Sequence, residues 1–310
     1  MRILLIGCTG FVGRELIPKL LNEKHEICVI SRKNINDLKF DLPIKKINFL
    51  KIDLSKKENW QNQNFIDYLK KAEGIINLAG EPIADKRWSE LQKNEIESSR
   101  INTTIYLMEN LQKLKISPKV VINGSAIGYY GTSLDMEFDE SNAPGDDFLA
   151  NICRKWEEAA SNKPLFTRLV IFRIGIVLEA DGGALGKMLP IFKIGLGGPI
   201  GDGNQWMSWI HRSDLCSLIN NALINKKFNG IYNAVAPQPT TMRDFSNVLA
   251  KYLNRPNLFP VPAFVLMFLL GESAKIVLEG QKVKSINLKK NFYTFKYPLL
   301  ENAISSVTKK

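Results

Sequence analysis

Cysteine is scarce in this chain and scattered: Cys8, Cys28, Cys153 and Cys216 form no close pair. That spacing excludes a zinc knuckle or a redox CxxC motif and leaves four small buried hydrophobes of a reducing compartment. Long apolar runs are missing too. The most apolar stretch, Phe264 to Leu270, is far shorter than the roughly 20 residues of a membrane span, so it reads as a buried helix, with a membrane-surface helix as the alternative. A strand pattern starts at Ile3 with no basic leader or cleavage site before it, and the expectation is a cytoplasmic protein. Repeats and low-complexity tracts are absent, and so is any basic stripe interleaved with aromatics. The formal charge of +11, from 42 Lys plus Arg against 31 Asp plus Glu, is spread over doublets such as Lys56-Lys57 and Lys289-Lys290. A nucleic-acid groove concentrates its cations, so no nucleic-acid partner is expected.

What the chain does have is alternation. Short runs, apolar at nearly every residue, occur at Ile3–Ile6, Ile27–Ile30, Ile47–Ile52, Gly74–Leu78, Val120–Asn123 and Leu169–Ile174. Such runs suit strands covered on both faces. Between the first two, Val12, Leu16 and Leu20 fall on one helical stripe, with Ile17 and Leu21 beside it. The pattern predicts an α/β fold, a Rossmann-type doubly wound parallel sheet with a smaller C-terminal substrate lobe. Residues 1–174 form the expected dinucleotide-binding domain and residues 175–310 the lobe. The glycine-rich stretch Asp181 to Gly203 belongs to that lobe, while about 205–240, with the apolar run Ile231–Val235, returns to the sheet.

The first strand runs into Gly7-Cys8-Thr9-Gly10-Phe11-Val12-Gly13. Glycines here permit a tight turn and let backbone N–H groups approach a diphosphate, and the helix starting near Phe11 offers its positive end. A glycine-rich turn without a ligand is the competing reading. At the end of the second strand a carboxylate would bind the ribose 2′-hydroxyl of NAD. Ser31-Arg32-Lys33 stands there instead, a hydroxyl and two cations suited to a 2′-phosphate, so the expected cofactor is NADP(H). The competing reading is a solvated basic loop. Asp53, ending the third strand, is placed to meet the adenine amine, and Leu78-Ala79-Gly80, after the fourth, to let the cofactor lie close to backbone.

Together these motifs resemble the extended short-chain dehydrogenase/reductase superfamily, of the NAD-dependent epimerase/dehydratase type, over nearly the whole chain. Gly124-Ser125-Ala126-Ile127-Gly128-Tyr129-Tyr130-Gly131, Arg154-Lys155-Trp156-Glu157, Asp181-Gly182-Gly183, Gly197-Gly198-Pro199-Ile200-Gly201 and Trp209-Ile210-His211-Arg212-Ser213-Asp214 resemble its atypical epimerase-like branch. Plant and cyanobacterial members of that branch are often labelled cell-division inhibitors and linked to plastid division. The resemblance implies an oxidoreductase or epimerase-like enzyme for a small, sugar-like molecule. Its alternative is a non-catalytic regulator with a division-related protein partner; a homodimer is implied by the superfamily.

In the superfamily a Ser binds the substrate oxygen, a Tyr moves the proton, and a Lys four residues on lowers the Tyr pKa. The resemblance puts Ser125 at the Ser, but counting onward puts Leu149 at the Tyr and Cys153 at the Lys. A leucine has no proton to give, and a neutral thiol is a poor ammonium. Tyr129 and Tyr130 are the candidate replacements, with cleft-lining aromatics as the alternative. Arg154, Lys155 and His211 are further candidates, each with a structural reading beside it: a solvated helix face for the first two, a loop support or helix cap for His211. Asp146 or Asp147 is expected to cap the helix that follows, Glu140 sits with them, and Glu81 faces the same cleft or solvent.

Overall fold

The computed structural model describes residues 1–38 and 46–309. Seven parallel strands make one sheet: β1 (Arg2–Ile6), β2 (Glu26–Ser31), β3 (Ile47–Lys51), β4 (Gly74–Asn77), β5 (Val120–Ala126), β6 (Arg168–Ile174) and β7 (Gly230–Ala234), in the order β7-β6-β5-β4-β1-β2-β3. The doubly wound expectation is met strand by strand. Successive side chains along a strand point to opposite faces. Ile3, Leu5, Ile27 and Val29 therefore join a core with Leu16, Ile17 and Leu20 of α1 (Gly13–Asn22). Leu4, Ile6, Cys28 and Ile30 face the other way, against Phe65 and Leu69 of α2 (Gln63–Lys71) and Leu107 and Leu111 of α3 (Glu90–Lys113). Each fully buried Leu, Ile or Val contributes about 1.5–3 kcal/mol, so near-continuous apolar strands are stable only under two covers.

Past the sheet's centre come α4 (Phe148–Ser161), α5 (Gly183–Lys193), α6 (Arg212–Ile224), α7 (Met242–Leu253) and α8 (Ala263–Leu270). Helix α6 covers the α1 face through Leu215, Ile219 and Leu223, whereas α5 and α7 close a separate core around Trp209, Phe245 and Ile304. β7 pairs in register with β6, Gly230 opposite Val170 through Ala234 opposite Ile174.

Two local differences from the sequence expectations bear on function. Helix α1 begins at Gly13 rather than near Phe11, because the glycine turn consumes two more residues. The apolar run at 264–270 forms α8, but none of its residues is buried; Phe264 is 69% and Phe268 80% exposed. Its sequence favours burial, yet among the described residues it is left with half or more of several side chains open. All four cysteines are buried and unpaired. Among the described residues no helix is long and apolar enough to cross a membrane.

Candidate functional site

Strand order reverses between β1 and β4, and their carboxyl ends open the crevice where α/β sheets bind ligands. The three glycines at this point do different work. Gly7 has φ +72°, and a Cβ there would come within 2.4 Å of the Ala79 backbone. A Cβ on Gly13 would come within 1.6 Å of the Cys8 carbonyl oxygen. Gly10 has nothing within 4 Å, so bare backbone faces open space. No described residue accepts a hydrogen bond from the amides of Gly10, Phe11 or Val12. Unclaimed N–H groups at a helix N-terminus form an anion site, and the turn fits a dinucleotide diphosphate.

A cleft of about 180 Å³ continues from this turn, lined by Gly7, Thr9, Gly10, Ser31, Arg32, Asp53, Ala79 and Gly80, with Ser99 and Thr103 of α3. Thr9 and Ser31 hydroxyls lie 3.0 Å apart, and the Lys33 amide donates to Ser31 Oγ. The Asp53 carboxylate holds its own loop, accepting from the Ser55 amide and hydroxyl. Phe11, Val12, Gly13 and Leu78, also expected at the cofactor, border the same turn. The Phe11 ring packs beneath Gly182 and Gly183, the Val12 carbonyl accepts from Leu16, and Leu78 leans toward Gly124.

Arg32 is not a free basic loop. Its Nη2 donates to Glu81 Oε2 at 2.9 Å and its Nη1 to Glu95 Oε1 at 2.7 Å, with 42% of its side chain exposed. Burial opposes ionisation of Glu81, but the hydrogen bond and charge of Arg32, joined by Lys86, outweigh it and hold that carboxyl below the usual range. The guanidinium expected to grip a 2′-phosphate is thus clasped by two carboxylates at the cleft edge.

At the far end, β5 runs three residues longer than its apolar core and carries Ser125 on its last turn of pleat. Ser125 is 3% exposed, and its hydroxyl donates to Glu157 Oε1 at 2.6 Å. Glu157 in turn takes Nε and Nη2 of Arg173, both at 2.8 Å. Burial works against the Arg173 charge, but the bonds and charge of Glu157 outweigh it and raise its pKa. Arg173 Nη1 donates to the Tyr130 hydroxyl, which donates to Asn233, whose amide donates to Glu140. Tyr130 is therefore a core residue, 4% exposed and stacked on Phe138; burial pushes its hydroxyl up to about 12. The structure places the Tyr130 hydroxyl in the Arg173–Asn233 network, away from a free surface. Tyr129 lies face-on to Arg173, 3.4 Å from ring centroid to Cζ.

Leu149 and Cys153 sit where counting put them. A Cβ on Gly128 would lie 3.6 Å from Leu149 Cβ, and the Cys153 thiol is in hydrogen-bond reach of Ser125 and the Ala126 backbone. Burial pushes Cys153 up to about 11, so it stays a neutral thiol. The other candidates have structural partners. Arg154 pairs with Glu158 and Lys155 with Glu97 on the outer face of α4. His211 caps α6 by accepting from the Ser213 amide, and Asp147 caps α4 through the Ala150 amide. Glu140 accepts from the Ser285 hydroxyl and the Ile286 amide, at the start of a short helix at Ile286–Lys290. Asp181 and Arg212 form an ion pair that, with Arg14 and Glu15, ties the lobe to the glycine turn.

Sequence reasoning missed the Glu157–Arg173 pair. Its signal was a charged residue inside the apolar run Leu169–Ile174, a place a strand covered on both faces allows only to a paired charge.

A parallel sheet with a glycine turn at its switch point and an altered reactive end defines a nucleotide-binding protein of the epimerase type. The family model described as the NAD dependent epimerase/dehydratase family matches residues 3–151, and one for a domain of unknown function, DUF1731, matches residues 261–307. The chain belongs to the NAD-dependent epimerase/dehydratase family. It is 39% identical over 309 residues to the chloroplastic epimerase family protein SDR39U1 homolog of Arabidopsis thaliana, covering 99% of this chain and 86% of that protein. It is 33% identical to the epimerase family protein YfhF of Bacillus subtilis, covering 99% and 98%. Among solved structures, human SDR39U1 with NADPH superposes with a TM-score of 0.86 at 34% identity, covering all of both chains. A UDP-glucose 4-epimerase of Thermotoga maritima, at 17% identity and a TM-score of 0.79 over 100% and 98% of the two chains, shares the fold.

Proposed function

We propose that this chain is an NADPH-binding oxidoreductase or epimerase-like enzyme for a small, hydroxyl-bearing, sugar-like molecule, working without the tyrosine–lysine couple. The observation that carries this reading is the cleft end built from Thr9, Ser31 and Arg32. It offers two hydroxyls and a guanidinium where selection of a 2′-hydroxyl calls for a carboxylate. The NADPH in the human relative supports it.

A bound nicotinamide supplies hydride exchange. The amides of the Gly7–Gly13 turn hold the diphosphate and Arg32 the 2′-phosphate. At the reactive end the Ser125 hydroxyl donates its hydrogen bond to Glu157, so its lone pairs accept from a substrate hydroxyl. Leu149 contributes packing and no proton. Four buried, unpaired cysteines suit a reducing compartment such as the cytoplasm.

The test is fluorescence titration of wild type and Arg32→Ala with NADPH and NADH. Tight NADPH binding that the substitution weakens, with NADH poor throughout, supports the reading. Failure to bind either nucleotide sinks it.

A second reading, a nucleotide-dependent regulator with a protein partner, a second copy or a division-related protein, is favoured by the uncovered apolar α8. Partner capture that survives Ser125→Ala but changes with nucleotide would favour it over turnover.

A further inference from the structure

Cys153 leaves the reactive end without its ammonium, but a cation stands close by on another helix. Arg100 projects from α3 against the cleft-lining turn, and a Cβ on Gly80 would lie 2.8 Å from its Cζ and 2.9 Å from Nη2. Its opposite face stacks on Trp156, 5.5 Å from Cζ to the ring centroid, and its charge is felt at Cys153. The guanidinium therefore lies between the cleft wall and the reactive end.

Its position is fixed from behind. Arg100 Nη1 donates to the Ile96 carbonyl, and Thr104 Oγ1 donates to the Arg100 carbonyl. Thr104 is itself held by Trp156 Nε1 and Asn77 Nδ2, each at 2.9 Å. Yet no carboxylate among the described residues pairs with Arg100. Glu81, the nearest acidic influence, is engaged by Arg32 and Lys86. The buried arginines Arg173 and Arg212 each have a carboxylate within ion-pair distance, whereas the half-buried Arg100 has none among the described residues. Burial alone lowers the Arg100 pKa. A cation half withdrawn from water and set against the cleft wall without an anion leaves its outer N–H groups for an oxygen-rich ligand.

We propose that Arg100 binds the nicotinamide half of the dinucleotide, its guanidinium holding oxygens between the diphosphate and the nicotinamide ribose and supplying the charge that Cys153 cannot. The inference rests on the NADPH reading above and names the residue that completes the site.

The test titrates wild type, Arg100→Gln and Arg100→Met with two probes, NADPH and adenosine 2′,5′-bisphosphate. The second probe has the 2′-phosphate end but neither the diphosphate bridge nor the nicotinamide. Arg100→Met keeps the aliphatic stem on Trp156, which guards the fold if the Gln variant melts early. Loss of charge-assisted bonds is expected to weaken NADPH by about tenfold or more, with bisphosphate affinity unchanged. NADPH binding at wild-type strength in a folded variant overturns the inference. So does equal loss of both probes, which would place Arg100 at the adenosine end or in the fold alone. Wild type that binds neither probe sinks the NADPH reading itself; wild type that binds both while the variants match it sinks only this inference.

Discussion

Replacing Glu95 by Gln is expected to tighten NADPH binding and leave NADH alone, although the substitution removes an ion pair from the cleft edge. Arg32 divides its guanidinium between Glu81 at 2.9 Å and Glu95 at 2.7 Å. With 42% of its side chain exposed, each pair is screened and is worth about 0–1 kcal/mol. A charge-assisted contact to a 2′-phosphate contributes about 1.5–3 kcal/mol, so the phosphate wins the guanidinium at the cost of the clasp. Arg32→Ala then loses the difference, about 1–2 kcal/mol or roughly 5- to 30-fold in NADPH affinity, and little for NADH. Glu95→Gln returns up to about 1 kcal/mol, a gain of up to about fivefold, and removes a charge that repels the phosphate. The assay is nucleotide fluorescence titration at low and high salt, because added salt screens an exposed guanidinium–phosphate contact and so weakens NADPH more than NADH. Should Glu95→Gln weaken NADPH, or shift both nucleotides equally, Arg32 is not the phosphate anchor.

Three further outcomes are expected. Gly10→Ala keeps the melting temperature within about 2 °C and weakens NADPH, since its Cβ enters open space, whereas Gly7→Ala costs at least about 2 kcal/mol by forcing a Cβ against Ala79 at positive φ. Equal melting temperatures for the two variants would refute that division of labour. Glu157→Gln leaves Arg173, 2% exposed, without its anion and is expected to cost about 3–5 kcal/mol in urea unfolding. A loss below about 1 kcal/mol would mean the pair is incidental. Stability is expected to be level between about pH 7 and 9 and to fall as pH rises toward 11–12. Burial lifts Cys153 from 9.0 to about 11 and Cys8 and Cys28 to about 12, so the unfolded thiols ionise first. Thiol labelling of the folded protein at pH 8 would contradict this.

The sheet was legible in the sequence because a strand buried on both faces must be apolar at every position, and six such runs stood out. The glycine turn was legible because its spacing sat between a strand and a helix stripe. The clasp on Arg32 was not, since Glu81 and Glu95 reach it only once α3 packs beside β4. Nor was Arg100, which reads as an ordinary solvated charge within a long polar helix until Gly80 and Trp156 are set on either side of it. For α8, buried and surface readings stood side by side in the sequence. Eight apolar residues state a preference for burial, but whether anything covers them depends on the rest of the fold.

The altered reactive end is also chemically directional. Ser125 sits over a carboxylate whose two oxygens are already held by Arg173; its hydroxyl hydrogen is engaged by Glu157 Oε1, which leaves the Oγ lone pairs to accept. A serine in that state pairs with a substrate that brings a hydrogen, such as an alcohol, and has nothing to offer a carbonyl oxygen. The usual superfamily arrangement relieves this through a tyrosine that donates, but Leu149 removes that option and the buried phenol of Tyr130 is spent on Asn233. On the proposal above, a carbonyl product would find its stabilising charge on Arg100, set between Gly80 and Trp156, rather than on Ser125.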